Sequence, residues 1–458
     1  MRILLIFPRF KYISGQPPLG IASIYSYLKY KKPDLDIQIF DGTFSKGRSR
    51  FFFNIIQKTH FDIIGFSVMN TMVKDTELLA NGVRRISPTS KIIVGGPQVT
   101  IDPEYFLKLN IADIAIIGEG ESTFLELIEN EIKPFGIKGT MYIKDKKIFK
   151  EPEREMLPDI DKLPITNRKI FDMQSYMDIW NSMDVVRDNL KGTSLIISRG
   201  CLYQCSFCQP TLRKIFGNYV RRYSAERVIE ELESLKVNFG IDSFMFEDDI
   251  FMMDKKWTKN MCELMIERKL NLIWCCNMRA DLCDKAILKK MYDAGLRKIN
   301  IGIESASQEI LDKVLKKRIT IKQVEVAIKT AKSLGIFIQG YFMIGHPTET
   351  RKDIIKTIKF ARHLDIDEVS FSITTPLPGT YLYEVDKSLI NDSCESYDYY
   401  DKSPYKPENL LVKQWELRLL KKYAYFAFYT KMNRFIRQVQ HIFSRTGSKK
   451  LLYKLARV

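Results

Sequence analysis

Short apolar runs alternate with helically spaced apolar residues through most of the chain, and the period of that alternation lengthens past the middle. Arg2 to Phe7, Asp36 to Phe40, Ile63 to Ser67, Lys91 to Val94 and Ile114 to Ile117 read as short strands, with helical spacing over Gly20 to Tyr30 and Lys74 to Ile86. This order predicts an α/β domain with a doubly wound parallel sheet over residues 1–130. The apolar stretch at the start runs only from Ile3 to Phe7, ends in Pro8-Arg9 and is followed by no small-residue cleavage site, so it reads as a first strand and not a signal peptide. In such sheets ligands sit beyond the carboxyl ends of the strands. Gly65-Phe66-Ser67, Gly95-Gly96-Pro97 and Gly118-Glu119-Gly120-Glu121 all fall there.

Residues 131–190 lose the pattern; a small hairpin around Gly139 to Ile148 and loops at Pro152, Pro158 and Pro164 are expected of a linker. Over 191–385 the alternation resumes. Ser194 to Ser198, Ser243 to Phe246, Leu272 to Cys275, Lys298 to Gly302, Phe337 to Met343 and Glu368 to Ile373 read as strands, with five helical segments between them. Six such units predict a barrel or partial (β/α)6 barrel with its chemistry at the carboxyl ends of the strands. Residues 386–458 begin polar and tyrosine-rich and then turn helical, with Trp415, Leu419, Tyr423, Phe426 and Phe428 along the apolar side.

Composition narrows the class. A chain of 458 residues that is 45% hydrophobic can build two or three cored domains, and no apolar run approaches the roughly 20 residues of a spanning helix. A cytoplasmic protein is expected. Eight cysteines are too few for a disulfide scaffold, and three of them crowd into residues 201–208, which favours a reducing compartment and a soft metal. The net charge of +17 is compatible with nucleic acid, acidic lipid or a phosphorylated substrate, and it is densest after residue 411, at Lys421-Lys422, Lys431, Arg434, Arg437, Arg445 and Lys449-Lys450. No GxGxxG follows the first strand and no P-loop is present, so neither a nicotinamide nucleotide site nor an ATPase is expected.

Cys201-Leu-Tyr-Gln-Cys205-Ser-Phe-Cys208 places three thiolates in eight residues directly after a strand, a soft donor set for iron-sulfur centres or zinc. Three ligands leave a four-thiolate site one short. Cys262, Cys275, Cys276, Cys283 and Cys394 are candidates for a fourth, although Cys275 and Cys276 are adjacent on a strand and only one can point inward. Histidine offers only His60, His346, His363 and His441. The other solution is a four-iron cluster with three protein ligands and one open iron.

With Ser198-Arg199-Gly200 before it and six βα units around it, this motif resembles that of the radical S-adenosylmethionine (SAM) superfamily. The resemblance implies a 4Fe-4S cluster on Cys201, Cys205 and Cys208 whose open iron chelates SAM, and reductive cleavage to methionine and a 5'-deoxyadenosyl radical. It also implies polar groups near the methionine amine at Phe246-Glu247-Asp248-Asp249, with Glu247 and Asp248 as contacts. Arg279 is implied near the methionine carboxylate, Glu304 at the ribose hydroxyls, Gly345 in the segment against adenine, with His346 lining that loop, and Phe207 covering the cluster from water.

The first domain, with Pro17-Pro18-Leu19-Gly20, the three glycine-rich strand ends and Pro376-Leu377-Pro378-Gly379-Thr380 after the last barrel strand, resembles cobalamin-dependent members of that superfamily over residues 1–385. Gly65, Ser67, Met69, Gly95, Gly96, Gln98, Gly118 and Glu119 are then expected on the cobalamin rim, with Asn70 and Thr71 as companions. No DxHxxG sequence is present, which implies base-off cobalamin without a histidine ligand; Gln98 stands where many relatives carry histidine. The resemblance implies a C-methyltransferase acting on an unactivated carbon, in which one SAM methylates the cobalamin and a second yields the radical. The alternatives are a cyclase or oxidative rearrangement, as in the anaerobic porphyrin cyclases, and an RNA-modifying iron-sulfur enzyme. Against the last, residues 1–200 hold no cysteine for a second cluster, and nucleic acid is not an expected partner. A reduced flavodoxin or ferredoxin is the expected electron donor, and a small-molecule, lipid, tetrapyrrole or peptide substrate is expected. The C-terminal helices read as a basic lid over the barrel, with peripheral membrane contact as the other reading.

Overall fold

The computed structural model describes residues 1–9, 13–44, 49–208, 215–217, 219–391 and 402–442. Cys394, Phe443, Arg445 and Lys449-Lys450 lie outside them. The chain divides into two compact units, Met1–Met173 with Pro210–Arg221, and Gln174–Gln209 with Arg222–Val458.

The first unit is built on one sheet of β1 (Arg2–Phe7), β2 (Asp36–Asp41), β3 (Ile63–Ser67), β4 (Lys91–Gly95), β5 (Ile114–Ile116), β6 (Thr140–Lys144) and β7 (Lys147–Lys150), in the order β2-β1-β3-β4-β5-β6-β7. The first five are parallel. β1, β3, β4 and β5 are buried along almost their whole length, which is why they read as continuous apolar runs instead of alternating ones. The hairpin expected near residues 139–148 forms, turning on Asp145 and Lys146, both at positive φ. It adds antiparallel to β5 and extends the sheet. The expected linker is therefore divided: residues through Met173 belong to the first unit and those from Gln174 to the second.

The second unit carries six parallel strands, β8 (Gly192–Leu195), β9 (Ser243–Phe246), β10 (Ile273–Met278), β11 (Leu296–Glu304), β12 (Phe337–Ile344) and β13 (Glu368–Ile373), each hydrogen-bonded to the next in sequence. The five crossover helices begin at Ser224, Asp254, Asp284, Thr320 and Thr350, each of whose side chains accepts a first-turn N–H. Each cap is worth about 1 kcal/mol and fixes where its helix starts. The inner face is closed below by an apolar plug of Trp180, Met183, Leu190, Met245 and Cys275. Gly192 is required here, because a Cβ would lie 2.1 Å from the Trp180 ring.

Helix Gln414–Tyr429 packs on the last strand, whose outer edge would otherwise present unpaired N–H groups. Tyr425 and Tyr429, one turn apart, meet that edge: the Phe371 N–H donates to the Tyr425 hydroxyl at 3.1 Å and the Val369 N–H to that of Tyr429. Arg434, placed by its sequence among surface cations, is buried. It donates to the carbonyls of Ile366, Arg362, Phe428 and Leu364.

Candidate functional site

The cysteine loop leaves β8 at the carboxyl end of the barrel sheet. Asp248, just past β9, holds its entry: the carboxylate accepts the Ile197 N–H at 3.1 and 3.2 Å and the Ser198 hydroxyl. Ser206 pins the middle, its N–H donating to Leu315 at 2.9 Å and its hydroxyl to the Val314 carbonyl. Cys201 is buried, and Cys205 and Cys208 are half-buried. Burial pushes the Cys201 thiol up, so a bound cation is what would hold it as thiolate.

Arg279, after β10, joins the loop to the rest of the site. It pairs with Asp281 through Nε at 3.0 Å and Nη2 at 3.2 Å, stacks 3.7 Å over the Tyr203 ring, and donates to the Lys317 carbonyl at 2.9 Å. Its Nη1 lies 3.8 Å from the Cys205 sulfur. No three His, Cys, Asp or Glu side chains among the described residues converge as ligands of a single ion; cysteines bound to three separate irons of a cluster need not do so. The donor chemistry thus fits a cluster. Cys262, Cys275 and Cys283 are thiols pushed up to about 12 by burial, and burial also raises Cys276 well above the ordinary thiol range. Cys275 points into the plug while Cys276 lies toward Cys283 and Cys262, so the two point apart as strand geometry requires.

Glu304 ends β11 at φ +67, beside a register shift against β12. Lys317, which the sequence reading missed, reaches Glu304 Oε1 at 2.5 Å in a buried ion pair, its ammonium 5.8 Å from the Phe207 ring. Gly302 makes room, since a Cβ there would sit 2.4 Å from both charged atoms. Nothing in the Lys316-Lys317-Arg318 run distinguishes the middle lysine before the fold is known. Glu247 accepts from Ser194 Oγ at 3.0 Å.

Gly345 turns at φ +90, and its N–H and that of His346 donate to Glu349 Oε2 at 2.8 and 2.9 Å. Burial outweighs these bonds and raises Glu349 to about 7. His346 lines the loop, its Nε2 3.3 Å from Asp386, which also accepts the Tyr405 hydroxyl at 2.5 Å.

Between plug and rim the inner wall is polar. Asn277, Asn300, Gln339 and Glu368 are register partners on four successive strands. Asn300 Nδ2 donates to Asn277 Oδ1 at 3.1 Å, while its own Oδ1 is buried without a partner among the described residues. Lys298 bonds Glu368 at 2.6 Å and the Ser182 carbonyl at 2.8 Å. On β12 and β13 every second residue, including Tyr341, Met343 and Ser370, is half-exposed on this face.

In the first unit the chain reverses direction across the sheet between β1 and β3, which opens a crevice at their carboxyl ends. Gly96 sits at φ +94 with its Cα against the Val68 backbone, where a Cβ would lie 2.9 Å from the Val68 nitrogen. The Val68 N–H donates to Gly95 and the Gln98 N–H to Val68, at 2.8 and 3.0 Å, which gathers Ser67, Met69, Gly95, Gly96 and Gln98 on one rim. Gly118, at φ +81, faces open space. Among the described residues, Asn70 Oδ1 and Arg9 Nε are buried with no hydrogen-bond partner, an acceptor and a donor suited to a ligand bearing amides. Arg9 has no motif around it and was not foreseen. Gly65 serves packing, its Cα pressed between Leu5 and Phe124. Glu119 is engaged in a buried pair with Arg221 at 2.8 Å and accepts the Leu157 N–H. The unit's one histidine, His60, precedes β3, at the end away from Ser67.

A model of the radical SAM superfamily matches residues 195–361 and one of the B12 binding domain residues 14–128. The chain is 33% identical over 454 residues to an uncharacterized methyltransferase of Pyrococcus horikoshii, covering 96% of this chain and 95% of that protein. It is 26% identical over 416 residues to the anaerobic magnesium-protoporphyrin IX monomethyl ester cyclase of Rubrivivax gelatinosus, covering 87% and 72%. Among solved structures, the radical SAM methyltransferase TsrM of Kitasatospora setae, with cobalamin and a 4Fe-4S cluster bound, superposes with a TM-score of 0.70 at 17% identity over 85% of this chain and 75% of that one. The cobalamin-dependent enzyme OxsB, with aqua-cobalamin and SAM bound, gives 0.66 at 18% identity over 93% and 62%.

Proposed function

The chain belongs to the cobalamin-binding radical SAM proteins and is a cobalamin-dependent radical SAM enzyme, and from that premise we propose that it transfers a methyl group to an unactivated carbon of a small polar substrate. The observation that carries this reading is the three-cysteine loop at the mouth of a partial barrel, in a chain that also has a corrinoid-type crevice.

Cys201, Cys205 and Cys208 hold the cluster, Phe207 shields it, and Arg279 directs an N–H toward the Cys205 sulfur. Lys317 occupies one oxygen of Glu304 and leaves the other for the ribose hydroxyls. Glu247 and Asp248 lie on the side of the methionine amine, Asp248 also holding Ile197 and Ser198 at the loop entry, and the turn at Gly345 presents backbone toward adenine. Asn70, Arg9 and Gln98 meet the corrinoid's amides around the close approach at Gly96. When bound, the cluster supplies the electron that breaks a carbon-sulfur bond of SAM, and the corrinoid supplies the methyl group. The substrate rests against Gln339, Tyr341 and Glu368, a wall with hydrogen-bonding groups in place of the apolar surface a wide tetrapyrrole ring would need. The reading includes a reduced flavodoxin or ferredoxin as electron donor. It also includes peripheral attachment at the inner face of a membrane through the C-terminal helices.

The test is an anaerobic incubation of reconstituted protein with cobalamin, reductant, SAM deuterated on its methyl group, and extracts as substrate source. Methyl transfer predicts both S-adenosylhomocysteine and 5'-deoxyadenosine, with deuterium in a new product. Formation of 5'-deoxyadenosine alone, with an unmethylated product, would replace this reading by cyclisation or rearrangement.

A further inference from the structure

Helix Gln414–Tyr429 has two apolar faces, where a helix that only covers a sheet needs one. Leu417, Leu420, Ala424 and Phe428 are buried. Trp415, Leu419, Tyr423 and Phe426, spaced four, four and three apart, form a second stripe that stays in solvent, from 48% exposed at Tyr423 to 67% at Phe426. Phe435 and Ile436 remain exposed on the next helix, Met432–Ile442. The arrangement corrects the sequence expectation, in which Trp415 and Phe428 shared one face.

The charge around this stripe says what covers it. Lys413, Arg418, Lys422 and Lys431 are exposed. Glu416, the one acidic residue after position 410, is already paired with Arg351 at 3.0 Å. Residues 417–458 contain eleven Lys or Arg and no Asp or Glu, so eleven of the seventeen net positive charges belong to the last 42 residues. A subunit interface of this apolarity would be depleted in lysine, and nucleic acid would leave Leu419 and Ile436 without a partner. Trp and Tyr among aliphatic residues, rimmed by cations on long stems, match the boundary of an anionic bilayer. Leu417 lies against Gly345, where a Cβ would meet its methyls at 3.0 Å. The stripe therefore starts at the carboxyl end of β12, beside the mouth of the barrel, and runs down its flank.

We propose that this face docks the enzyme on an anionic lipid surface, with Trp415, Leu419, Tyr423 and Phe426 entering the headgroup boundary and Arg418, Lys422 and Lys431 meeting the headgroups. The proposal deepens the attachment reading above and does not depend on the reaction. The full chain is sedimented with vesicles of phosphatidylcholine alone or with about 30 mol% phosphatidylglycerol, at about 0.1 and 0.5 M salt. The protein pellets with the anionic vesicles, and its affinity falls at least tenfold in pure phosphatidylcholine or at the higher salt. The double variant L419E/F426E loses at least tenfold while keeping its thermal midpoint and its reductive cleavage of SAM. Failure of the wild type to pellet, or undiminished binding of the variant, overturns the proposal. So does a dimer in light scattering that the double variant splits, which would make the face a subunit contact. SAM cleavage without vesicle binding discards the docking and leaves the chemistry standing; binding without cleavage does the reverse.

Discussion

Cys205 and Cys208, though not Cys201, differ from Cys262, Cys275 and Cys276 in being only half-buried. The inner and outer thiols at Cys275, Cys262 and Cys283 are raised to about 12 and stay protonated, whereas the loop opens Cys205 and Cys208 toward solvent. Replacing any one of Cys201, Cys205 and Cys208 by alanine is expected to abolish SAM cleavage and lower bound iron, while Cys262→Ala or Cys283→Ala keeps the full iron content; iron and sulfide analysis after anaerobic reconstitution checks both. The eight-residue spacing made this triplet legible, because its members are local in sequence. Glu304 was legible only through resemblance. Lys317, thirteen residues on, was not, because the loop after β11 alone brings the two together. Glu349 is a second residue whose role only the fold shows. Its carboxyl is raised from 4.5 to about 7 by burial, so the folded chain binds a proton there that the unfolded chain has released. That contribution to stability is complete below about pH 4.5 and is lost as pH rises through about 7, on the order of 3 kcal/mol in all. The thermal midpoint of the wild type should therefore fall relative to that of Glu349→Gln between pH 5 and 8.

At the scale of elements, the strands of both units could be read from their apolar runs, and the barrel helices from the helical spacing between them. The two faces of the barrel strands were harder. Lys298, Asn300 and Glu368 lie in segments that read simply as buried strands, and only the register shows that Asn277, Asn300, Gln339 and Glu368 form one level of the inner wall. Arg434 misled for a related reason, since a cation within a basic, aromatic stretch looks like surface. Buried against four carbonyls, it anchors the last described helix. Arg434→Met should cost about 3 kcal/mol, because the carbonyls would be left unpaired. The expected signs are a lower thermal midpoint and faster protease cleavage between residues 430 and 442.

Over the whole molecule, charge and chemistry are segregated. Residues 1–416 carry a net charge of +6 and the last 42 residues +11, so positive charge is densest in the C-terminal tail, while the cofactor-type crevices lie in the preceding chain. No described helix is long and apolar enough to cross a membrane, so the lipid contact proposed for the basic tail is one of docking. The identity of the substrate was not legible, because the wall proposed to hold it draws Gln339 and Tyr341 from one strand and Glu368 from the next. The class of reaction was, because the cluster loop is continuous in sequence. The most direct test of that class is to reduce the anaerobically reconstituted protein in the presence of SAM and measure methionine and 5'-deoxyadenosine by mass spectrometry, alongside metal content. The account predicts about four iron and four sulfide per chain and release of both products in equal amounts. Zinc held by four protein ligands, or SAM recovered intact after reduction, would contradict it.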